Sequence, residues 1–231
     1  MVATSHFHQT AAQDTNNLKR VWQNINADSC PLTYNFHLHT VCSDGQLEPS
    51  ALMEQAVKFG LKGLAITDHH SIRGYQLASN WLNQLKQRSS QPTLPHLWTG
   101  VEITANLQGV EVHILGYGFA PQHLAIQPYL QGAKPQGTEA QAGIVIYQIH
   151  QAGGLAILAH PARYRRPAKE LIPIAAHLEI DGVEAYYAYN NPTPWQPSPV
   201  QTEQVKQLAA QYNLLTTCGT DTHGLDLRRR L

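Results

Sequence analysis

Seven short apolar runs alternate with helical segments along this chain, and they constrain its fold more than any other feature. They cover residues 34–39, 63–68, 97–103, 110–117, 155–160, 183–188 and 214–219. Continuous apolar runs of this length are typical of strands that are buried on both faces of a parallel sheet. Seven strand–helix units therefore predict an α/β fold with parallel strands. Placing all seven in residues 34–231 favours a TIM-like barrel, and a doubly wound open sheet is the alternative.

The residues before the first run form a predicted appendage. Leu18, Val21, Trp22 and Ile25 recur at a helical spacing and would share one apolar face. We expect one amphipathic helix there, packed on the outside of the main fold. The predicted domain organisation is thus an N-terminal appendage over residues 1–33 and a barrel domain over residues 34–231.

Ionisable residues occur at or near the end of six of the seven runs, or inside them. His37 and His39 lie two positions apart, so in a strand both rings point to one face. Asp44 follows in a Ser-Asp-Gly turn. The other candidates are His69, Glu102, His113, His160, Asp221 and His223. Because active sites of α/β barrels form at the C-terminal ends of the strands, we expect these nine side chains to meet there.

A cluster of nine such residues predicts a polynuclear metal site. Buried charges that lack a partner are strongly destabilising, so a compensating cation is expected. Nine donors exceed the three or four protein ligands of one zinc ion, which implies two or three divalent ions bridged by Glu102 or Asp221. Mixed imidazole and carboxylate ligands without thiolate suit Mn, Zn or Fe.

The residues that carry these donors, in this order, resemble the PHP superfamily (polymerase and histidinol phosphatase domain). The matching motifs are His-Leu-His at 37–39, Ser-Asp-Gly at 43–45, Thr-Asp-His at 67–69, Gly-Val-Glu at 100–102, His-Ile-Leu-Gly at 113–116, Ala-His-Pro at 159–161 and Gly-Thr-Asp-Thr-His-Gly at 219–224. Together they extend from about residue 35 to residue 224.

The resemblance implies a distorted (β/α)7 barrel with a trinuclear metal site at the C-terminal ends of the strands. The implied ligands of the three ions are His37, His39, Glu102 and Asp221 for the first, Glu102, His113 and His160 for the second, and Asp44, His69 and His223 for the third. The partition among the ions stays open.

The resemblance also implies phosphoesterase activity, and it is strongest to small stand-alone bacterial members that act on nucleoside 3′,5′-bisphosphates and on the 5′ ends of short oligonucleotides. We expect in-line attack by a metal-activated hydroxide, with catalytic roles for Asp44, His69, Glu102 and Asp221. Arg163 follows His160 by three positions and is a candidate for binding the substrate phosphate.

Two departures concern the substrate. The segment between His113 and His160 is too short for the domain that such relatives often carry there, and residues 189–199 form a proline-rich loop. Two alternatives therefore stay open: a phosphatase of a small metabolite such as histidinol phosphate, and a PHP module with a structural role and no catalysis.

Charge and composition limit the partners. Lys plus Arg and Asp plus Glu each total 16, so the formal charge is zero and no basic surface for a long nucleic-acid duplex is expected. We expect a small phosphorylated substrate or a short single-stranded oligonucleotide, and no membrane, because the apolar runs are too short to span one. A signal peptide is not recognisable, and three cysteines without a CxxC pair predict a cytoplasmic protein. The oligomeric state stays open.

Overall fold

The computed structural model of the protein describes residues 13–88 and 93–231. Its helices are α1 Thr15–Trp22, α2 Pro49–Phe59, α3 Arg73–Arg88, α4 Ala142–Gln151, α5 Ala168–His177 and α6 Pro199–Gln211. Its strands are β1 Tyr34–Asn35, β2 Gly63–Ala65, β3 His96–Trp98, β4 Gly100–Leu107, β5 Val110–Tyr117, β6 Leu155–Leu158, β7 Gly182–Tyr186 and β8 Leu215–Cys218.

The strands form two sheets, and the fold is of the mixed α/β class that the sequence predicts. One sheet has the order β1-β2-β3 and is parallel throughout. The other has the order β4-β5-β6-β7-β8. Within it, β5 runs antiparallel to both β4 and β6, whereas β6-β7 and β7-β8 are parallel pairs.

A hairpin interrupts the predicted alternation of strands and helices. Residues 97–103 belong to two strands, β3 and β4, and β4 turns directly into β5 through Gln108 and Gly109. Both turn residues have positive φ, 50° and 84°, as a tight two-residue hairpin turn requires. The prediction that all strands run parallel was therefore wrong for β5, and the described residues contain eight strands instead of seven.

Two isolated bridges among the described residues join the two sheets. Leu38, which follows β1, pairs in parallel with Thr222, which follows β8. His69, which follows β2, pairs in parallel with Glu102 of β4. The segments that carry candidate ligands on the two sheets are thus held together by backbone hydrogen bonds, such as Asp221 N–H to the His37 carbonyl at 2.9 Å.

The larger apolar core lies against the five-stranded sheet and includes the apolar face of α1. Trp22 is buried and packs edge-on against Phe36 and Tyr117, with ring centroids 5.7 and 5.2 Å apart. A smaller core packs α2 and α3 against the other sheet. The division into an appendage over residues 1–33 and a barrel domain stays a prediction, and residues 1–12 of the appendage lie outside the described part of the chain.

The remaining connections shape the surface. Residues 189–198 link β7 to α6 without a helix or strand, as their proline content predicts. Among the helices in residues 13–88 and 93–231, none combines the length and the apolar character needed to cross a membrane.

Candidate metal centre

The structure brings all nine predicted ligands together. They come from the segments after β1, β2, β6 and β8 and from the β4-β5 hairpin. His37 and His39 directly follow β1, Asp44 lies in the next turn, His69 follows β2, His160 follows β6, and Asp221 and His223 follow β8. The ends of four parallel strands therefore contribute seven of the nine side chains.

Glu102 and His113 reach the site through the β4-β5 hairpin. Glu102 is the third residue of β4 and His113 lies inside β5, so neither is at the C-terminal end of its strand. The β4-β5 hairpin brings the two side chains side by side, and His113 Nδ1 lies 2.8 Å from Glu102 Oε1. Glu102 therefore lies near the start of its strand and not near the end of a strand over residues 97–103, whereas His113 lies inside its strand, as the sequence indicates.

Glu102 is at the centre of the cluster, and its carboxylate is almost fully buried. Five imidazoles surround its two oxygens. The nitrogen–oxygen distances are 3.1 Å to His37 Nε2, 3.0 Å to His39 Nε2, 3.5 Å to His69 Nε2, 2.8 Å to His113 Nδ1 and 3.5 Å to His160 Nε2.

The other two carboxylates lie on opposite sides of the cluster. Asp221 is buried, and its Oδ1 lies 3.2 Å from His39 Nε2 and 3.4 Å from His37 Nε2. The side chain of Asp44 is 52% exposed and lies on the solvent side, where its Oδ2 is 3.1 Å from His223 Nε2 and 3.7 Å from His69 Nε2. The site thus has a buried inner part and an open outer part.

Three groups within the described residues could each hold a metal ion. They are His37, His39, Glu102 and Asp221; His69, Glu102 and His113; and His39, Asp44, His69 and His223. The first is the set that the family resemblance implies. The second group contains His69 where the resemblance implies His160. The third group contains the implied Asp44, His69 and His223, and His39 in addition. The number of ions stays a prediction.

The chemistry of the buried nitrogens fits bound cations. His39 Nε2 lies 3.0 Å from a Glu102 oxygen, yet it is fully buried and makes no hydrogen bond. A buried polar atom without a partner costs about 1–3 kcal/mol. A cation between this nitrogen and the carboxylates of Glu102 and Asp221 would satisfy all three groups at once.

The electrostatics of the inner part favour ionised carboxylates. Burial alone would raise the pKa of Glu102, but His37 and His113 hold it well below its usual value. Asp221 behaves in the same way, because His37 and His39 outweigh its burial and lower its pKa. The inner site is therefore a place where negative charge persists, as cation binding requires.

Two further carboxylates, those of Glu184 and Asp68, form hydrogen bonds that orient the ligand-bearing segments. Glu184 of β7 is fully buried; its Oε1 lies 3.0 Å from His37 Nδ1, and its Oε2 accepts the His160 N–H at 2.9 Å. A proton on Nδ1 leaves Nε2 of His37 free to face the cluster. Asp68 accepts hydrogen bonds from the Thr40 N–H and the Ser43 hydroxyl, which fixes the turn that carries Asp44.

Two arginines reach the same carboxylate oxygen of the site. Arg163, the predicted substrate-binding residue, has its Nη1 3.3 Å from Asp221 Oδ2, and its side chain is 45% exposed. Arg230 donates from Nε to the same oxygen at 2.9 Å. Arg230 is not recognisable from the sequence, because no local pattern shows that the chain returns to Asp221 nine residues later.

A mixed α/β fold with imidazoles and carboxylates gathered at its strand ends is typical of metal-dependent hydrolases. The model of the PHP domain family matches residues 35–213. The chain therefore belongs to the PHP family.

Curated relatives include proteins named 5′-3′ exoribonuclease Rnm from Salmonella typhimurium and Escherichia coli. Each is 26% identical to this chain, over 82% of it and 85% of the relative. The alignment with the Salmonella protein spans 258 positions, more than the 231 residues of this chain. That relative therefore contains segments that this chain lacks.

Solved structures share the fold. A protein from Bifidobacterium adolescentis assigned as a metal-dependent phosphoesterase superposes with a TM-score of 0.67 at 24% identity, covering 85% of this chain and 89% of that one. An amidohydrolase from Chromobacterium violaceum with bound sulfate superposes with a TM-score of 0.68 at 18% identity, covering 85% and 90%.

Proposed function

We propose that this protein is a metal-dependent phosphoesterase that hydrolyses phosphate esters of nucleotides or short oligonucleotides. The observation that carries the proposal is one cluster of six imidazoles and three carboxylates, in which five of the imidazoles lie within 3.5 Å of the buried Glu102 carboxylate. Membership in the PHP family supports hydrolytic chemistry. The exoribonuclease names of the curated relatives support a nucleotide substrate.

The cluster would hold two or three divalent ions, of Mn, Zn or Fe. When bound, such ions polarise phosphoryl oxygens, balance the charge of the transition state and lower the pKa of a bound water. The inner residues His37, His39, Glu102 and Asp221 would fix the geometry of the centre. Glu184 would keep the His37 ring in the tautomer that points Nε2 at the cluster.

The outer residues would meet the substrate first. Asp44 and His69 lie on the solvent side, with side chains 52% and 24% exposed. Arg163 is the exposed cation next to Asp221, and its guanidinium would bind a non-bridging oxygen of the phosphate. Substrate orientation at this centre would thus depend on Asp44, His69 and Arg163.

We also propose that the two sheets belong to one distorted barrel. The bridges Leu38–Thr222 and His69–Glu102 connect the segment after β1 to the segment after β8 and the segment after β2 to β4, which supports this arrangement. A barrel would explain why side chains after β1, β2, β6 and β8 meet at one face.

The expected partner is a small phosphorylated molecule or a short single strand, because the formal charge of zero leaves phosphate attraction to the bound ions and a few arginines. The cytoplasmic location is proposed on the cysteines: Cys30, Cys42 and Cys218 are all free thiols.

The test is a phosphate-release and product-length assay on three substrate classes with added Mn²⁺. They are 5′-phosphorylated oligoribonucleotides of two to five nucleotides, nucleoside 3′,5′-bisphosphates, and small metabolite phosphates including histidinol phosphate. We expect turnover of the nucleotide classes, loss of turnover with a chelator, and recovery when Mn²⁺ is restored.

A matched pair of histidine variants distinguishes loss of the metal centre from a nonspecific effect of replacing a histidine. His37→Ala should lower the rate by about 100-fold or more, because it removes a proposed ligand of the inner ions that would stabilise the charge of the transition state. His177→Ala removes an exposed histidine at the end of α5 and should leave the rate unchanged. Equal rates in the two variants would overturn the proposal, and preference for histidinol phosphate would replace its substrate class.

A further inference from the structure

Asp221 uses its two oxygens for different purposes. Oδ1 faces the imidazoles of the cluster, 3.2 Å from His39 Nε2 and 3.4 Å from His37 Nε2. Oδ2 accepts hydrogen bonds from Tyr187 Oη at 2.7 Å and Arg230 Nε at 2.9 Å, and a longer one from Arg163 Nη1 at 3.3 Å. Because Oδ2 already has strong donors, only Oδ1 is free to point into the cluster.

The backbone of Arg230 holds a second predicted ligand. Its carbonyl oxygen accepts the N–H of His223 at 2.7 Å and the N–H of Gly224 at 3.1 Å. The side chain of His223 reaches Asp44 Oδ2 from this position. Arg230 is therefore joined to Asp221 through its guanidinium and to His223 through its main chain.

The segment that presents Arg230 is firmly attached to the rest of the fold. The carbonyl of Leu227 accepts hydrogen bonds from Asn35 Nδ2 at 2.9 Å, Thr220 Oγ1 at 2.9 Å and Thr222 Oγ1 at 3.0 Å. Leu227 is fully buried. A segment held in this way can fix the position of a guanidinium, which a solvated basic segment cannot do.

The neighbouring arginines differ from Arg230. Arg228 pairs with Asp226 and stacks over the Phe59 ring. Arg229 is exposed, and its carbonyl accepts the Thr222 hydroxyl. Arg230 has a side chain that is only 19% exposed, against 45% for Arg163. Arg230 is thus both closer to Asp221 and less accessible to solvent than Arg163. This favours a role for Arg230 in orienting Asp221 over a role in binding the substrate.

We infer that Arg230 is a positioning residue of the metal centre: together with Tyr187 it holds Asp221 as a ligand through Oδ1 alone, and it fixes the backbone of His223. The inference rests on the proposed function, since it assumes that the cluster binds metal. Partners of this kind set the orientation of a metal-binding side chain, and their loss typically weakens metal affinity about 10–100-fold.

The test is direct titration of the metal-free protein with Mn²⁺, in which the electron paramagnetic resonance signal reports the free ion. Arg230→Gln should raise the dissociation constant of at least one Mn²⁺ about 10-fold or more. Arg229→Gln removes the same charge one residue away and should bind Mn²⁺ as the wild type does. In assays with saturating Mn²⁺, Arg230→Gln should change KM for the phosphate ester little.

Tyr187→Phe keeps the ring and removes only the hydroxyl that donates to Oδ2, so it provides the test if Arg230→Gln does not fold by circular dichroism. It should weaken Mn²⁺ binding in the same direction. Wild-type affinity in Arg230→Gln or Tyr187→Phe would overturn the inference, as would a raised KM with unchanged Mn²⁺ affinity, which would make Arg230 a substrate-binding residue. A wild-type protein that binds no Mn²⁺ would instead overturn the proposed function itself.

Discussion

Close packing around a single glycine positions His37. Gly219 follows β8, and a Cβ atom there would lie 2.2 Å from His37 Cβ, 2.8 Å from the His37 nitrogen and 2.9 Å from Glu184 Oε1. Two of these atoms belong to a ligand-bearing segment that cannot move without disturbing the bridge to Thr222. We predict that Gly219→Ala lowers the free energy of unfolding by about 2 kcal/mol, as overpacking typically does, and weakens Mn²⁺ binding.

Gly143 provides the matched control. It lies near the start of α4, where an added methyl group would meet only the flexible end of Leu178, 3.3 Å away. Gly143→Ala should be neutral or stabilise by about 0.5–1 kcal/mol, because alanine favours the helix. Urea unfolding of the metal-free proteins measures both changes. A Gly219→Ala variant with wild-type stability and Mn²⁺ affinity would show that His37 does not depend on this contact.

The candidate ligands could be predicted from the sequence because each lies beside a recognisable strand. The spacing of His37 and His39 and the Asp-His pairs after apolar runs carry that information locally. The residues that contact and orient the candidate ligands, such as Arg230, could not be predicted in this way. Arg230 acts through contacts made possible by the return of residues 226–230, and the sequence shows only three adjacent arginines, which resemble a solvated basic segment.

At the scale of elements, the β4-β5 hairpin is the main departure from the sequence prediction. Residues 97–103 and 110–117 are both apolar runs, and an apolar run has the same pattern in a parallel and in an antiparallel strand. The two-residue connection Gln108-Gly109 was the available signal, since a crossover to a parallel strand needs a dozen or more residues. The hairpin matters for function because it brings Glu102 and His113 together.

The connection between α4 and the strand β6 depends on a histidine–carboxylate pair whose contribution should depend on pH. His150 Nε2 lies 2.7 Å from Asp181 Oδ2, and the same oxygen accepts the Ala156 N–H at 2.8 Å. The hydrogen bond to Asp181 raises the pKa of His150 in spite of its partial burial. A raised pKa in the folded state stabilises the protein fully below about pH 6.5, the ordinary value, and this contribution is lost as the pH rises through the folded-state pKa.

We therefore predict that His150→Gln lowers the free energy of unfolding by about 1 kcal/mol at pH 5.5–6 and by progressively less toward pH 9. Urea unfolding of the metal-free protein at several pH values measures the difference. His177→Gln is the control, because His177 also ends a helix but bonds to the Pro173 carbonyl instead of a carboxylate. A difference for His150→Gln that stays constant or grows with pH would contradict the assignment.

At the scale of the whole molecule, positive charge is balanced by negative charge, and several arginines pair with carboxylates of the same chain. The formal charge is zero over 231 residues. Arg166 pairs with Glu170, and Arg228 pairs with Asp226. Arg163 is the exposed guanidinium that also contacts the metal centre. Binding of a nucleic acid should then depend on contacts at the site and little on a general electrostatic field.

This distribution predicts a weak dependence on salt. For single strands, the logarithm of affinity falls with the logarithm of salt concentration with a slope of about −0.7 for each phosphate contact made by the protein. Fluorescence anisotropy of a 5′-phosphorylated pentanucleotide with hydrolysis-resistant phosphorothioate groups, bound by the metal-loaded protein at 50–300 mM NaCl, should give a slope of about −1 to −2. Arg163→Gln should reduce that slope by about 0.7, whereas Arg165→Gln, a nearby exposed arginine, should leave it unchanged. A slope steeper than about −4, or comparable binding of a long duplex, would reveal a basic surface that extends beyond Arg163 and would overturn the restriction to short substrates.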